Sequence, residues 1–274
     1  MKFQLHVSGL NLLSRCGIAF ERRYILKEPE LRSVSLAVGS AVDQAVTADL
    51  RAKIESGALL PTEQVADMAR DFTVDEWARD DIRLNQEDSE DGWNGSKDEA
   101  IDASVAMAVH YHRYAAPGIR PTHVQRRWAL DIRGLDIQMA GTIDVQEGLD
   151  AIRDTKTSAK SPVKDAAEKS LQLTTYALAV MAHDKQLPAA VALDYVVRTP
   201  KRKDMKLVQL VSIRTEGDIY PLLNRVESAS KVIESGMFSP APTDAWWCNS
   251  KFCGYWASCS FSAKPSNFAI GGAA

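Results

Sequence analysis

From residue 35 to about residue 114 the apolar positions recur every three or four residues, the period of helices that bury one face. Leu36-Ala37-Val38-Gly39-Ser40-Ala41-Val42 leads into a helix predicted to run through Leu50. A second helix is predicted over 62–84 with Thr62 as its cap, and a third over 98–114, with the polar run 85–96 between them as a loop. A shorter helix-forming stretch lies around 10–16, and Pro117-Gly118 and Pro121 end the helical region. At His123 the period changes to two. In Leu135-Asp136-Ile137-Gln138-Met139-Ala140-Gly141-Thr142-Ile143-Asp144-Val145 the apolar residues take alternate positions, as on a half-buried strand. Residues 147–150 read as a turn and 151–157 as the returning strand of a hairpin. A helix over 165–183, strands over 190–198 and 206–214 and a helix over 216–234 follow. The sum is an α/β fold: a central mixed sheet flanked by helices, in a single domain over 1–261. Its helical section covers about 35–116 and its core about 123–235. The Ser-, Gly- and Ala-rich stretch 262–274 reads as a loosely ordered tail.

The 274 residues, 45% hydrophobic and 25% charged, have globular composition. No apolar run approaches the roughly 18 residues that span a bilayer, and the first residues lack the apolar core of a secretory leader. A soluble, cytoplasmic protein is the expectation. A net charge of −3 argues against a polyanionic partner until its distribution is considered. Between Glu63 and Asp102 there are 14 acids and 4 bases, so the remainder of the chain carries +7. Basic clusters fall at Arg22-Arg23, Arg126-Arg127 and 198–206. Charge therefore permits DNA as a partner, with Tyr195, Arg198 and 201–206 as candidates for lining its groove. The acidic stretch has no chemical motif and is read as an arch or lid.

Asp154 and Lys156 stand two apart on one strand and so share a face, and a hairpin about 147–150 brings Asp144 toward Asp154. Two adjacent carboxylates repel unless a cation separates them, and hard Mg²⁺ or Mn²⁺ prefers oxygen ligands. Sixteen residues after the lysine, Gln172 and Tyr176 lie four apart on one helical face. The five histidines, His6, His110, His112, His123 and His183, are scattered, and none is assigned a ligand role. Four cysteines, Cys16, Cys248, Cys253 and Cys259, pair one residue near the start with three packed into twelve positions, 232 residues away. In a reducing compartment such a set points to a metal or cluster rather than disulfides, and four thiolates suit zinc as well as iron.

Gly141-Thr142-Ile143-Asp144, Asp154-Thr155-Lys156-Thr157 and Gln172-Leu173-Thr174-Thr175-Tyr176-Ala177 together resemble motifs II and III and the Q-x-x-x-Y helix of RecB-like nucleases. These are a branch of the PD-(D/E)xK superfamily that includes the AddB nuclease domain, CRISPR-adaptation exonucleases and phage recombination exonucleases. The resemblance covers about 10–260 and implies a restriction-endonuclease-like fold. It also implies a Mg²⁺- or Mn²⁺-dependent deoxyribonuclease, an exonuclease acting on DNA ends in recombination, repair or phage replication, with a recombination or repair protein as a further partner. By that likeness Asp144, Asp154 and the carbonyl of Thr155 bind the metal, Lys156 assists catalysis, and Gln172 and Tyr176 organise the site. The family's early histidine ligand, after Gly-x-x-Val, is replaced here by Asp43 after Gly39-Ser40-Ala41-Val42, an oxygen ligand of suitable kind. An acid the family carries ahead of motif II appears as Gln125, to which no role is given. The cysteine pattern is similar to that of the cluster-bearing members, with one N-terminal and three C-terminal ligands. It implies a [4Fe-4S] cluster held by the C-terminal tail, with a first gap longer than the family's usual two residues. Two other readings stand beside the nuclease: a non-catalytic DNA-binding adaptor with a decayed site, and a redox-responsive cluster protein.

Overall fold

The computed structural model describes residues 2–199 and 204–262. Strand β1 (Phe3–Leu5) is followed by helices α1 (Val7–Arg15) and α2 (Gly17–Phe20), the latter continuing as a π-turn over Glu21–Ile25. Strand β2 (Arg32–Ser33) leads into α3 (Val34–Ser56). Then come α4 (Thr62–Trp77), β3 (Ile82–Arg83), α5 (Gln86–Glu90) and α6 (Lys97–Tyr114). The second half contains β4 (His123–Asp131), β5 (Ile137–Glu147), β6 (Ala151–Ser158), α7 (Leu171–Asp184), β7 (Ala190–Thr199), β8 (Asp204–Ser212) and α8 (Glu216–Ser235).

The main sheet has the order β1-β5-β6-β7-β8, with β4 antiparallel on the other edge of β5. Strand β1 is parallel to the start of β5. Strand β6 is antiparallel to β5 and, through the α7 crossover, parallel to β7; β8 returns antiparallel. The sheet is therefore mixed and, as the pattern implied, flanked by helices. Alternation along the strands divides the core in two. Val145 and Val196 pack with Val38, Val42, Met107 and Tyr111 of α3 and α6. Ile143, Ile152, Val191 and Leu193 pack with Leu173, Tyr176 and Val180 of α7. A third cluster joins Leu10 and Phe20 to Ile137, Met139 and the Leu222 and Val226 side of α8. Burial of such side chains contributes about 1.5–3 kcal/mol each.

Several boundaries differ from the sequence reading. Helix α4 stops at Trp77 because Asp80 turns left-handed (φ 54), which lets β3 pair with β2. Thr62 does not cap it: Pro61 is the N-cap and the Thr62 hydroxyl instead meets His112 Nε2 at 3.1 Å. The expected loop 85–96 contains α5, started by a capping box between Asn85 and Asp88. Asp88 is buried because it also accepts from the backbone amides of Val34 and Ser35, holding the start of α3. Helix α7 begins at Leu171, with Ser170 as its cap, not at 165. The buried Arg214 guanidinium takes the carbonyls of Ala167, Glu168 and Ser170, so these residues close a turn. The short β1 had no periodic signal. The expected tail, beyond Ser262, lies outside the described residues, as do 201–203.

Candidate active site

The pairing of the hairpin fixes where its acids meet. From the turn, β5 and β6 pair at Glu147–Ala151, Gln146–Ile152 and Val145–Arg153, and there the ladder ends. The next pair in that register would be Asp144 with Asp154. Asp144 Oδ2 instead accepts the Thr155 amide at 3.2 Å, so a side chain receives that N–H where the ladder has opened. On the opposite edge the ladder also skips this residue. Strand β4 pairs Val124 with Val145 and Arg126 with Ile143, and Gln125 between them is left-handed at φ 51. Asp144 stands in a gap in the sheet.

Helix α3 approaches β6 at Gly39, where a Cβ would lie 2.9 Å from Thr157 Oγ1; its alanine stripe faces away, with Ala45 packed on Val65, Ala69 and Ala108. One turn further, Asp43 enters the same cleft and its Oδ2 accepts from Gln125 Nε2 at 3.2 Å. Asp154 is wholly buried. The Lys156 ammonium is 2.6 Å from Asp154 Oδ2, a charge contact outside hydrogen-bond alignment. Among the described residues, neither carboxylate oxygen of Asp154 has a hydrogen-bond partner. Asp43, Asp144, Asp154, Thr155, Lys156 and Gln172 thus line one open cleft.

The electrostatics follow from burial and like charge. Burial first, then the Asp154 charge, pushes the Asp43 carboxyl up to about 6. Burial first, then Asp154 and Asp43, hold Asp144 well above the usual carboxylate range. For Lys156, burial pulls the pKa down, but Asp154 and Asp144 outweigh it and the ammonium is held charged. Its orientation comes from α7. Tyr176 is kept a neutral phenol, chiefly by burial, and its hydroxyl accepts from Gln172 Nε2 at 2.7 Å. That bond turns Gln172 Oε1 toward Lys156 Nζ, 3.0 Å away. Among the described residues no three His, Cys, Asp or Glu side chains stand close enough to form a metal-binding group as they are placed. That holds for the acids of the cleft and for the four cysteines alike.

Other expected residues have different surroundings. Arg198 is turned to protein: it pairs with Glu99 at 2.9 Å and lies 4.2 Å above the Trp93 ring. Tyr195 sits opposite Lys156 in the β6–β7 register. His112 bonds Asp49 at 2.8 Å, joining α6 to α3. The acidic stretch supplies α4, α5 and the start of α6, with Asp88 and Glu76 buried as tethers. Gln125, given no role from sequence, proves to contact Asp43; its left-handed backbone has no signature in a single sequence.

All four cysteines are free thiols, half-buried, and line one cavity between the chain's two ends. Cys16 caps α2, its Sγ accepting the Ala19 amide at 3.4 Å. Arg22 clasps the other end, donating to Ser258 Oγ at 2.8 Å and lying 4.6 Å over the Tyr255 ring. Burial first, then the neighbouring thiols, raises the pKa of Cys248 and of Cys253.

Residues 4–260 match the family model described as the PD-(D/E)XK nuclease superfamily. No curated protein matches the sequence significantly. Among solved structures, a protein from Eubacterium rectale described as a candidate exonuclease superposes with a TM-score of 0.54. The superposition covers 87% of this chain and 84% of that one, at 14% identity, a likeness of fold alone. A second structure, of SSO0001, covers 94% of this chain and 96% of its own with a TM-score of 0.33 at 12% identity, too low to carry an argument. No helix among the described residues is long and apolar enough to cross a membrane.

Proposed function

This chain belongs to the PD-(D/E)XK nuclease superfamily, and from that membership we propose that it is a Mg²⁺- or Mn²⁺-dependent exonuclease acting on DNA ends. Residues 1–261 form its single domain. The observation that carries the reading is the convergence of Asp43, Asp144 and Asp154, from three separate elements, on one cleft with Lys156. Asp154 Oδ1 is buried without a hydrogen-bond partner among the described residues, and the three carboxylates crowd like charge, a cost that a cation among them would relieve. The set consists of hard oxygen donors, which suits a hard divalent ion. Asp43, Asp144, Asp154 and the Thr155 carbonyl would hold it, and when bound it supplies Lewis acidity toward a phosphodiester.

The remaining work falls to the chain's own groups. Lys156, kept charged by the acids beside it, offers an ammonium to the charge that grows on the phosphoryl oxygens. Gln172 and Tyr176 fix its direction, since the Gln172 amide donates to one and accepts from the other. The open cleft leaves room for a strand of DNA over the acids. The Eubacterium rectale likeness, in fold, accords with exonuclease action.

The thiols have a separate role in this reading. Four unpaired cysteines around one cavity suit a [4Fe-4S] cluster, which would place the chain in the iron–sulfur branch and join its two ends. Recombination or repair of DNA is the corresponding setting.

The test is cleavage of end-labelled linear DNA by the purified protein. Nucleotide release that requires Mn²⁺ or Mg²⁺ and disappears in Asp154→Ala supports the enzyme. DNA binding without cleavage under either metal would favour an adaptor. Iron and zinc content with the anaerobic absorption spectrum decides the cofactor, about four irons per chain being the expected result.

A further inference from the structure

Gln125 combines two features that have no structural need to coincide. Its backbone is left-handed at φ 51, a conformation costing about 1–2 kcal/mol for a residue with a side chain. Its side chain spans from the sheet to α3, with Nε2 3.2 Å from Asp43 Oδ2 and 3.2 Å from Thr47 Oγ1. The amide orientation is set by chemistry, since an ionised Asp43 only accepts and the amide must present its N–H. The backbone twist has a second consequence. Residue 125 is the position that a regular β4–β5 ladder would pair with Asp144, and that pair is the one missing between Val124–Val145 and Arg126–Ile143.

We propose that Gln125 is a positioning residue for the acid cluster: its left-handed turn opens the sheet at Asp144 while its amide aims Asp43 into the same gap. The inference rests on the reading of the cleft as a divalent-cation site. It accounts for strain retained beside the cleft, where a regular strand residue would close the ladder. Gln125 itself touches neither substrate nor ion, and it works through Asp43. Partners of this kind, one contact removed from an ion, typically change metal affinity by about 10–100-fold when lost.

Gln125→Gly separates amide from backbone, because glycine keeps the left-handed conformation without strain. Mn²⁺ binding to the full chain, measured by electron paramagnetic resonance or calorimetry, should weaken about tenfold in Gln125→Gly, while the metal-free melting temperature stays near that of the unmodified chain. In an Asp43→Ala background the same substitution should cost nothing further, since the amide acts through that carboxylate. Gln125→Val, which resists the left-handed region, should weaken Mn²⁺ binding more than Gln125→Gly. Unchanged affinity in Gln125→Gly, or an equal loss with and without Asp43, would overturn the inference while leaving the cation site standing. A chain that binds no Mn²⁺, with Asp154→Ala indistinguishable from it, would remove both.

Discussion

The acid cleft and the cysteine cavity both gather groups that repel once ionised, yet they are built in opposite ways. In the cleft, Asp144, Asp154 and Lys156 ride on paired strands, and the Tyr176–Gln172–Lys156 chain of hydrogen bonds fixes each neighbour in turn. The cysteines lie on a helix cap and an irregular segment whose only regular piece is one 3-10 turn over Trp256–Ser258. Arg22 and the Ile18–Ser239 backbone bond draw the two chain ends together there. A scaffold of strands holds its functional groups with or without an occupant, whereas loops depend on what they enclose. The cleft should therefore govern chemistry and the cysteine cavity stability.

That contrast predicts effects that can be ranked. The largest is Cys253→Ser, which, if the four thiols hold the proposed cluster, removes one of the ligands that would close a loop running nearly the length of the chain; a loop-closure estimate gives about 5 kcal/mol. Denaturant unfolding should register that loss, while cleavage per folded molecule at low temperature stays within a few-fold. Next is Asp154→Ala, expected to lower cleavage by about 10³-fold, or about 4 kcal/mol in the barrier. Its metal-free melting temperature should change little, because the like-charge crowding with Asp43 and Asp144 is relieved while the Lys156 ion pair is lost.

The pH dependence separates the regions a third way. The Asp43 carboxyl, ordinarily at 3.8, is raised to about 6, so the folded state holds a proton that the unfolded chain has lost. Its stability contribution is complete below about 4 and is lost as pH rises through about 6, on the order of 3 kcal/mol. Melting of the metal-free protein should drop over that window, and Mn²⁺ should restore stability most above it. The smallest effect is Gln172→Leu: cleavage should fall about tenfold, roughly 1.4 kcal/mol, with Mn²⁺ affinity unchanged. A fall in metal affinity there would mean that Gln172 supports the ligands rather than Lys156.

The sheet and the acid pair were legible because period-two alternation fixes which side chains share a face, and Asp154-x-Lys156 obeys that parity. Alternation also located β5, β6 and β7 to within a few residues. What escaped notice depends on partners distant in the chain. The role of Asp88 as a tether for α3 comes from bonds 53 and 54 residues away. The start of α7 is set by Arg214, on the far side of β8. Gln125 reads as an ordinary strand residue, since neither its φ nor its contact with Asp43, 82 positions earlier, leaves a mark on local pattern. The expectation for Arg198 failed for a related reason: a basic residue near a strand end reads as free for DNA, whereas Glu99 and Trp93 already engage it.

The central claim, that three carboxylates from separate elements share one divalent ion beside Lys156, is tested most directly by anomalous diffraction from crystals soaked in Mn²⁺. The account predicts one strong peak bounded by Asp43, Asp144, Asp154 and the Thr155 carbonyl, absent in Asp154→Ala. A saturated crystal with no peak there, or with manganese bound only elsewhere on the chain, would contradict it.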